Sequence, residues 1–431
     1  LFRSKKMLQN SKLKELSFLV YGMGLSGISV VKFFKKNKIR NFKIWDDKKK
    51  NIFKNYRSKN LKQTLNQVDY IVLAPGISLI NKKYLIKFRK KIITDIDLFY
   101  LSKNKFKSIV VTGTNGKSTV CSLIYHLLKK NKIKCSLGGN IGTPILDLKP
   151  KKNSYIIIEA SSFQLAYSKF ICPNYAFFLN LTNDHLDWHG NKNNYLNSKL
   201  KIFNFQTKNE YAIINNKFKK IFLRNKFLSK LIIPNKNSYK KIKVKIKNDY
   251  LTSNVNNENM IFIFTFAKLL KIKEKSFIDA MKSFKGLSHR FETFIKKKNT
   301  IFINDSKATS FKSAEFAISS LKNIYWILGG LPKQNDRINP TIFKKNIIKC
   351  YIIGKNINFF TKQIRGKLPF SITKNLRNSI IQILKDTKSQ HNKNKSILLS
   401  PAAASFDQFI NFEKRGEEFK NLSKTYARKF T

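Results

Sequence analysis

Short apolar runs that end in glycine or in small polar residues recur along the chain. They alternate with longer stretches in which apolar residues follow helical spacing, so the pattern predicts alternating strands and helices. Such alternation is typical of parallel sheets whose ligands bind at the carboxyl ends of the strands. The predicted strands are Leu16–Tyr21, Asn41–Trp45, Asp69–Ala74, Ser108–Val111, Tyr155–Ile158, Ala176–Leu179, Thr300–Ile303, Tyr325–Leu328 and Ile397–Leu399.

The segment Thr112–Thr119 reads Thr-Gly-Thr-Asn-Gly-Lys-Ser-Thr and joins a predicted strand to a predicted helix. Backbone N–H groups of a glycine-rich turn and of a helix N-terminus face an anion together, and Lys117 adds a positive charge. Ser118 or Thr119 offers the hydroxyl oxygen that Mg²⁺ prefers as a ligand. Gly113 lies closer to the lysine than the strict phosphate-loop consensus requires, so the loop is short. The segment predicts a binding site for a nucleoside triphosphate.

A second glycine loop, Gly22–Gly27, follows the first predicted strand, and Asp46 ends the next one. A Gly-x-Gly-x-x-Gly loop with an acid about 20 residues later is the fingerprint of dinucleotide binding. Taken alone, this pattern leaves an NAD-dependent oxidoreductase and a plain tight turn as two open alternatives.

Two more strand ends carry side chains suited to a metal site. Glu159 ends the strand that follows the phosphate loop, where a carboxylate that orders magnesium belongs. His185 follows the next strand, in Asp184-His185-Leu186-Asp187. A lone histidine is more often packed or solvated than metal-bound, but this position in the nucleotide-binding segment favours the site.

The chain carries 86 lysine and arginine residues against 24 acidic ones, a net charge of +62. The excess is spread over the whole length, and Phe and Ile are abundant too, so an A/T-rich genome explains it better than specific nucleic-acid binding. Four widely spaced cysteines indicate a reducing compartment. The sequence contains no apolar stretch of membrane-spanning length. We therefore expect a cytoplasmic protein, a monomer, with no membrane insertion and no specific nucleic-acid partner.

The motifs, taken in order, resemble those of the Mur ligase family over nearly the whole chain, and within it those of the members that add D-glutamate. A single glycine loop would be weak support, but a series is specific. The matching segments are Thr112–Thr119, Gly138–Gly142, Glu159–Gln164, Asp184–Asp187, His289–Glu292, Asn304–Thr309, Gly329–Gly330 with Lys333 and Asp336, and Ser400–Phe412.

The resemblance implies an α/β protein of three domains. These are an N-terminal Rossmann-like domain for the UDP end of the substrate at 1–100, a central P-loop ATPase with a mainly parallel sheet at 101–297, and a C-terminal Rossmann-like domain at 298–431. It implies an ATP-dependent ligase that joins D-glutamate to UDP-N-acetylmuramoyl-L-alanine through an acyl phosphate. Closure about hinges near residues 100 and 297 is expected.

The resemblance also implies roles for single residues. ATP is expected at Gly113, Thr114, Asn115, Gly116, Lys117, Ser118, Thr119, Asn256, Asn259, Arg290 and Asp305. The UDP substrate is expected at Leu25, Ser26, Asp46, Gly76, Asn140, Ser161, Gln164 and His185. D-Glutamate is expected at Lys307, Thr309, Ser405, Phe406 and Phe412. The catalytic set is Lys117, Glu159, His185 and Lys199.

The family match gives Lys199 an unusual role, because the corresponding lysine is carbamylated. A carbamate forms only on a neutral amine, so Lys199 needs a pKa depressed by burial or by neighbouring cations. Two Mg²⁺ ions are expected, held by Ser118, Glu159, His185 and the Lys199 carbamate. The sequence departs from the family pattern at Val255, where a histidine is usual, and at Phe406, where an aliphatic residue is usual.

Three alternatives stay open on the sequence alone. One is another ligase of the superfamily, such as a folylpolyglutamate synthase or a Mur ligase that adds L-lysine or diaminopimelate. A second is a P-loop ATPase that binds nucleic acid through its positive charge. The third is the NAD-dependent oxidoreductase suggested by the first glycine loop.

Overall fold

The computed structural model describes residues 13–102, 106–182, 184–297, 299–333, 335–387 and 394–427. The chain divides into two compact units, residues 1–284 and 285–431. The first unit holds two parallel sheets, and the second holds one mixed sheet. Each strand predicted from the sequence overlaps an observed strand, and the α/β fold class is confirmed. The domain limits at residues 100 and 297 stay predictions.

The N-terminal sheet has four parallel strands in the order β2-β1-β3-β4. All four side chains of β1 are buried, because hydrophobic cores form on both faces of the sheet. The elements are β1 Phe18–Tyr21, β2 Phe42–Trp45, β3 Tyr70–Leu73 and β4 Ile92–Ile93, with α-helices Leu25–Lys36, Leu61–Gln67 and Asp95–Leu101 and 3₁₀ turns Lys54–Tyr56 and Lys83–Phe88.

The central sheet has six parallel strands in the order β10-β9-β8-β5-β7-β6. The strand before the phosphate loop, β5, lies between β8 and β7, so the ends of these three strands meet at one edge. The strands are β5 Lys107–Thr112, β6 Cys135–Gly139, β7 Tyr155–Glu159, β8 Tyr175–Phe178, β9 Tyr211–Ile214 and β10 Lys230–Ile232. The α-helices are Lys117–Lys130, Ser162–Tyr167, Leu186–His189, Lys192–Leu200, Lys219–Arg224, Lys236–Lys243, Asp249–Thr252, Asn254–Leu269 and Glu274–Lys282.

The second unit is built on a sheet in the order β11-β12-β16-β13-β14-β15. Only the pair β11 and β12 is antiparallel, and the other neighbours run parallel. The strands are β11 Glu292–Lys297, β12 Thr300–Asn304, β13 Ile324–Gly329, β14 Ile347–Ile353, β15 Phe370–Lys374 and β16 Lys395–Leu399, with helices Phe311–Ser320, Pro340–Phe343, Ile357–Ile364, Leu376–Thr387 and Phe412–Tyr426. Across the described part of the chain, no helix is long and apolar enough to cross a membrane.

The helix Asp95–Leu101 belongs to the cores of both sheets of the first unit. Ile96 and Phe99 pack into the core of the central sheet, whereas Leu98 and Leu101 pack into the core of the N-terminal sheet. These pairs lie three residues apart on different faces of one helix. The helix therefore packs against both sheets of the first unit, and the hinge expected near residue 100 stays a prediction.

The first glycine loop is shaped by one close approach between backbone segments. A Cβ atom placed on Gly27 would lie 2.0 Å from the carbonyl oxygen of Gly22, whereas a Cβ on Gly24 would meet no atom within 4 Å. Gly27 is therefore required for the helix to start where it does, and Gly24 is not.

We expect Gly27→Ala to lower the free energy of unfolding by about 1–3 kcal/mol, since the added methyl must displace backbone. Gly24→Ala is the matched control, and it should leave stability unchanged or slightly raised because less entropy is lost on folding. Urea unfolding of the full chain measures both. Equal losses in the two variants would contradict this account of the loop.

Candidate active site

The phosphate loop spans from the end of β5 to the start of the helix Lys117–Lys130 and is held by a neighbouring strand. Gly116 has a left-handed backbone, with φ at 83°. Asn180, just beyond β8, accepts hydrogen bonds at its side-chain oxygen from the backbone N–H groups of Thr114, at 3.1 Å, and of Asn115, at 2.9 Å. Asn180 therefore holds these two loop amides from a neighbouring strand.

Lys117 lies along this loop. Its Nζ donates to the carbonyl oxygens of Gly113, at 2.9 Å, and Thr114, at 2.7 Å. Lys117, Ser118 and Thr119 form the first turn of the helix, where backbone N–H groups have no partner within the helix itself. A lysine and a helix N-terminus at the end of a central strand form an arrangement that attracts phosphate.

Lys199 is buried against the same loop. Lys199 is only 1% exposed, and its Nζ donates a hydrogen bond to the carbonyl oxygen of Gly113 at 2.9 Å. The amine also lies 4.5 Å from the centre of the Tyr195 ring. Burial, helped by the positive charge of Lys117 and opposed by Asp184, lowers the pKa of Lys199 to about 6. The depressed pKa that carbamylation requires is thus present.

Glu159 is the buried carboxylate at the end of β7, with 2% of the residue exposed. One carboxylate oxygen, Oε1, accepts a hydrogen bond from the amide nitrogen of Asn140 at 2.9 Å. The other, Oε2, is buried and has no hydrogen-bond partner. An unpartnered buried carboxylate oxygen is costly, so it points to a missing ligand. A carboxylate with the hydroxyl of Ser118 is a hard oxygen donor set that suits Mg²⁺.

His185 stands at the start of the short helix Leu186–His189 with a left-handed backbone, φ 55°. Its Nε2 lies 3.5 Å from a carboxylate oxygen of Asp184, and its ring packs edge-on against Phe163 at 4.6 Å between centres. The imidazole is partly exposed. Within the described residues, no three His, Cys, Asp or Glu side chains cluster as metal ligands. A metal site among these residues would therefore draw on other donors as well, such as the hydroxyl of Ser118 or the modified Lys199 that the family resemblance implies.

Two residues predicted to bind substrate cap a helix. Ser161 and Gln164 form a capping box at the start of the helix Ser162–Tyr167: the Ser161 hydroxyl accepts from the Gln164 N–H at 3.3 Å, and the Gln164 side-chain oxygen accepts from the Ser161 N–H at 3.1 Å. Both side chains have a structural role, which the sequence analysis did not anticipate. Their role toward substrate stays a prediction.

The adenine-side residues pack directly on the phosphate loop. Asn259 donates to the side-chain oxygen of Asn256 at 3.1 Å, and Asn256 donates to the carbonyl oxygen of Tyr250 at 2.9 Å. A Cβ on Gly116 would lie 2.3 Å from the side-chain oxygen of Asn259. The two predicted asparagines are thus brought next to the loop.

The residues predicted for the UDP end lie at the strand ends of the N-terminal sheet. Asp46 accepts backbone N–H bonds from Met23 at 2.6 Å, Lys49 at 2.7 Å and Lys48 at 2.9 Å. Partial burial acts to raise the pKa of Asp46, but these bonds outweigh it and lower the pKa overall. Leu25 is 78% exposed at the start of the helix. Gly76 follows β3, and a Cβ atom added to Gly76 would meet no atom within 4 Å.

The second unit gathers the other predicted residues around the ends of β12 and β16. Asp305 accepts from the Phe291 N–H at 3.1 Å and from the Ser400 hydroxyl at 2.7 Å, and burial raises its pKa to about 7. Lys307 Nζ lies 3.6 Å from the centre of the Phe412 ring, a cation–π contact. Arg290 lies close enough to Asp305 for its charge to act against that rise.

The predicted D-glutamate residues differ in exposure. Ser405 is buried, Thr309 is partly buried, and Phe406 is 70% exposed. The exposed side chain of Phe406 therefore does not belong to the core, and its role toward D-glutamate stays a prediction.

Sequence reasoning assigned no role to several residues that shape the site. Asn180 holds the loop amides, and Tyr195 places its hydroxyl 3.0 Å from the Thr114 hydroxyl. The Nε2 atom of His189 forms a hydrogen bond with the Ser162 hydroxyl at 3.0 Å, and the imidazole ring of His189 packs against the Tyr195 ring. The position of Asn180 just after a predicted strand was the only available signal, because the other contacts depend on how helices pack.

Fold and site together define an α/β enzyme with a phosphate-binding loop. The Mur ligase middle domain model matches residues 111–277. A Rickettsia prowazekii protein is 37% identical over 94% of this chain and 97% of its own length, and one from Buchnera aphidicola subsp. Schizaphis graminum is 36% identical over 94% and 97%. Both are named UDP-N-acetylmuramoylalanine--D-glutamate ligase. The chain belongs to the Mur ligase family and is a ligase, which confirms the resemblance and sets aside the oxidoreductase alternative.

Solved structures agree on the fold. MurF ligase from Thermotoga maritima in complex with ADP has a TM-score of 0.54 at 16% identity and covers 97% of each chain. UDP-N-acetylmuramate-alanine ligase MurC from the same organism has a TM-score of 0.56 at 13% identity and covers 95% of this chain and 99% of its own. At these identities the likeness establishes the three-sheet fold and nothing further.

Because burial depresses the pKa of Lys199, the free energy of unfolding is expected to depend on pH. The pKa of the Lys199 amine is about 6 in the native state and 10.5 as the ordinary value. Between these two pH values the amine therefore binds fewer protons in the native state than in the unfolded state. Stability should therefore rise with pH in this window, by about 1.4 kcal/mol per unit near its middle, with the full penalty present below it. Lys199→Met removes the titration, so the stability gap between variant and wild type should shrink as pH rises.

Unfolding by urea at several pH values measures this gap, in buffers free of carbon dioxide and divalent cations so that the amine stays unmodified. Lys192→Met is the matched control, since Lys192 is exposed on the same helix. Its curve should run parallel to that of wild type. A Lys199→Met curve that also runs parallel would contradict the depressed pKa.

Proposed function

We propose that the protein joins D-glutamate to UDP-N-acetylmuramoyl-L-alanine, with ATP converted to ADP and phosphate. The observation that carries the proposal is similarity at 31–37% identity, over nearly the full chain, to relatives that bear the name of this ligase. The site supports it, because a phosphate loop, a buried carboxylate with an open oxygen and a buried lysine meet at one sheet edge. A ligase of another substrate in the same family would share these features, so the amino acid is the point to test.

The reaction needs an activated carboxylate, since a carboxylate ion is a poor electrophile with a poor leaving group. In the proposed course, a carboxylate oxygen of the alanyl end attacks the γ-phosphorus of ATP, and the bond to ADP breaks. The amine of D-glutamate then attacks the acyl carbon, loses a proton, and phosphate leaves. Lys117 and the helix N-terminus would bind the β- and γ-phosphates and stabilise the charge that moves onto ADP.

The residues present fit magnesium. Glu159 Oε2 and the Ser118 hydroxyl would hold one ion, and His185 with a carbamate on Lys199 would hold a second. Such ions supply positive charge between two negative reactants and so lower the cost of their approach. Glu159 supports this assignment best, because its second oxygen has no protein partner.

Lys199 is proposed to react with carbon dioxide. Its neutral Nζ forms a bond to the carbon atom while one C=O π bond of carbon dioxide opens onto oxygen, and the nitrogen releases one proton, which turns a neutral amine into an anionic carbamate. Burial supports the first requirement, a neutral amine near pH 7. The carbamate would also place a negative charge beside the amine of Lys117, which shares the Gly113 carbonyl with Lys199.

The second unit is proposed to bind D-glutamate. A dicarboxylate needs cations and hydroxyl donors, and Lys307, Thr309 and Ser405 supply them, with Phe406 and Phe412 at the apolar part. Arg290 and Asp305 are proposed to contact the nucleotide. We further propose that the enzyme works in the cytoplasm as a monomer, without a specific nucleic-acid partner.

The first test is phosphate release from ATP in the presence of Mg²⁺ and UDP-N-acetylmuramoyl-L-alanine, while the added amino acid is varied. Release should require D-glutamate and should be absent with L-glutamate, L-lysine and diaminopimelate. Phosphate release with one of these other amino acids would support a ligase but would overturn D-glutamate as its substrate. Release that depends on RNA or DNA, and on none of the amino acids, would overturn the proposed function.

The second test replaces one carboxylate oxygen. Glu159→Gln keeps an acceptor for Asn140 but puts an amide where the unpartnered oxygen lies, so folding should persist while activity falls by about 100-fold or more. The affinity for the UDP substrate, measured by calorimetry without Mg²⁺, should stay within about twofold. Glu274→Gln, at an exposed ion pair with Lys245, is the control and should keep full activity. Unchanged activity of Glu159→Gln would remove this residue from the metal site.

A further inference from the structure

Lys201 is a partly buried lysine outside the residues that the family resemblance assigned to a substrate or to the metal site. It begins the 3₁₀ turn Lys201–Phe203, directly after the helix Lys192–Leu200, whose last turn carries Lys199. Residues two apart along a helix do not face each other, so the two lysine side chains leave the chain in different directions. Lys199 reaches the phosphate loop, whereas Lys201 reaches another helix.

The amine of Lys201 caps the carboxyl end of the helix Ser162–Tyr167. Its Nζ donates hydrogen bonds to the carbonyl oxygens of Ala166 at 2.5 Å and of Ser168 at 3.2 Å. The last carbonyl groups of a helix have no partner within the helix and carry partial negative charge, so a cation stabilises them. Burial lowers the pKa of Lys201 to about 8, with the charge of Asp97 opposing the shift. The amine therefore stays mainly protonated at neutral pH.

The segment that Lys201 contacts is itself held from another side by a buried carboxylate. Asp97 accepts hydrogen bonds from the Ser168 hydroxyl at 2.7 Å and from the next two backbone N–H groups at 2.8 Å and 2.7 Å. Asp97 is fully buried and belongs to the helix Asp95–Leu101, which packs into the cores of both sheets of the first unit. Lys201 therefore donates to a fixed part of the molecule.

Lys199 lies between two contacts that hold its helix. Four residues before it, the hydroxyl of Tyr195 lies 3.0 Å from the hydroxyl of Thr114 in the phosphate loop. Two residues after it, Lys201 makes its hydrogen bonds to the neighbouring helix. Both contacts oppose a rotation or a shift of the helix end, which would carry the Lys199 amine away from the Gly113 carbonyl, 2.9 Å from it in this structure.

We propose that Lys201 is a positioning residue for Lys199: its hydrogen bonds to the end of the helix Ser162–Tyr167 hold Lys199 in the buried place at the phosphate loop where the amine can react with carbon dioxide. The inference rests on the carbamate of the proposed function. Without the Lys201 contacts the helix end can shift, and water reaches the Lys199 amine. The pKa of Lys199 then rises from about 6 toward the ordinary 10.5, so less neutral amine is present to react.

The test observes the carbamate itself, by carbon NMR of the full chain equilibrated with isotopically enriched bicarbonate at neutral pH. A carbamate resonance that is present in wild type and absent from Lys199→Met reports on Lys199. We expect Lys201→Met to need about tenfold more bicarbonate for half of the full signal, because more of the amine is protonated. Lys201→Arg keeps a cationic donor for the helix end and should stay within about threefold of wild type.

Lys192→Met is the matched control, because Lys192 is exposed at the start of the same helix. Its bicarbonate dependence should equal that of wild type. Phosphate release should show the same shift in bicarbonate dependence for Lys201→Met, while the KM for D-glutamate stays within about twofold. A purely structural role for Lys201 predicts instead a loss of activity that added bicarbonate does not relieve.

That loss would overturn the proposal, as would a Lys201→Met protein with the bicarbonate dependence of wild type, or a Lys201→Arg protein as impaired as Lys201→Met. If Lys201→Met does not fold, Lys201→Gln gives the same comparison. An active wild-type ligase without the carbamate resonance would overturn the carbamate and this inference together. A wild-type protein with the resonance, but without phosphate release that depends on D-glutamate, would overturn the proposed reaction alone.

Discussion

The central site depends on two lysine amines that donate to one carbonyl oxygen. Lys117 and Lys199 both lie 2.9 Å from the oxygen of Gly113. Two ammonium ions so close repel each other strongly where water is excluded. Lys199 is 1% exposed, and burial, helped by the positive charge of Lys117, lowers its pKa to about 6. The phosphate loop therefore contributes to the chemical state of a lysine that lies 86 residues beyond Gly113 along the chain.

Parallel pairing explains why such distant residues meet. Strand β5 lies between β7 and β8, so the loop after β5, Glu159 at the end of β7 and Asn180 after β8 share one edge of the sheet. Each strand end contributes a different group: backbone amides, a carboxylate and an amide that holds the loop. The helix Asp95–Leu101 supplies a second constraint, since its buried side chains pack into the cores of both the central and the N-terminal sheet.

Strand positions and the phosphate loop were predictable from the sequence because they depend on local signals, namely apolar runs and glycine, lysine and hydroxyl residues at fixed spacing. Glu159, at the end of a strand, and His185, in the segment after a strand, were singled out as candidates from the same kind of local signal, and their roles stay predictions. The burial of Lys199 was not visible in a chain with so many lysines, and only the family resemblance singled it out. Contacts between elements were also missed, among them those of Asn180 and Tyr195 with the phosphate loop.

The hydrogen bonds from Asn180 have a consequence for how this site can diverge. The loop amides of Thr114 and Asn115 take their positions from a residue on another strand, and Gly116 takes its own from the close approach of Asn259. If a lineage altered nucleotide preference by changing the loop alone, Asn180 and Asn259 would no longer fit the loop backbone that they contact. Inheritance of the loop is thus tied to two distant segments, and the three are expected to change together or not at all.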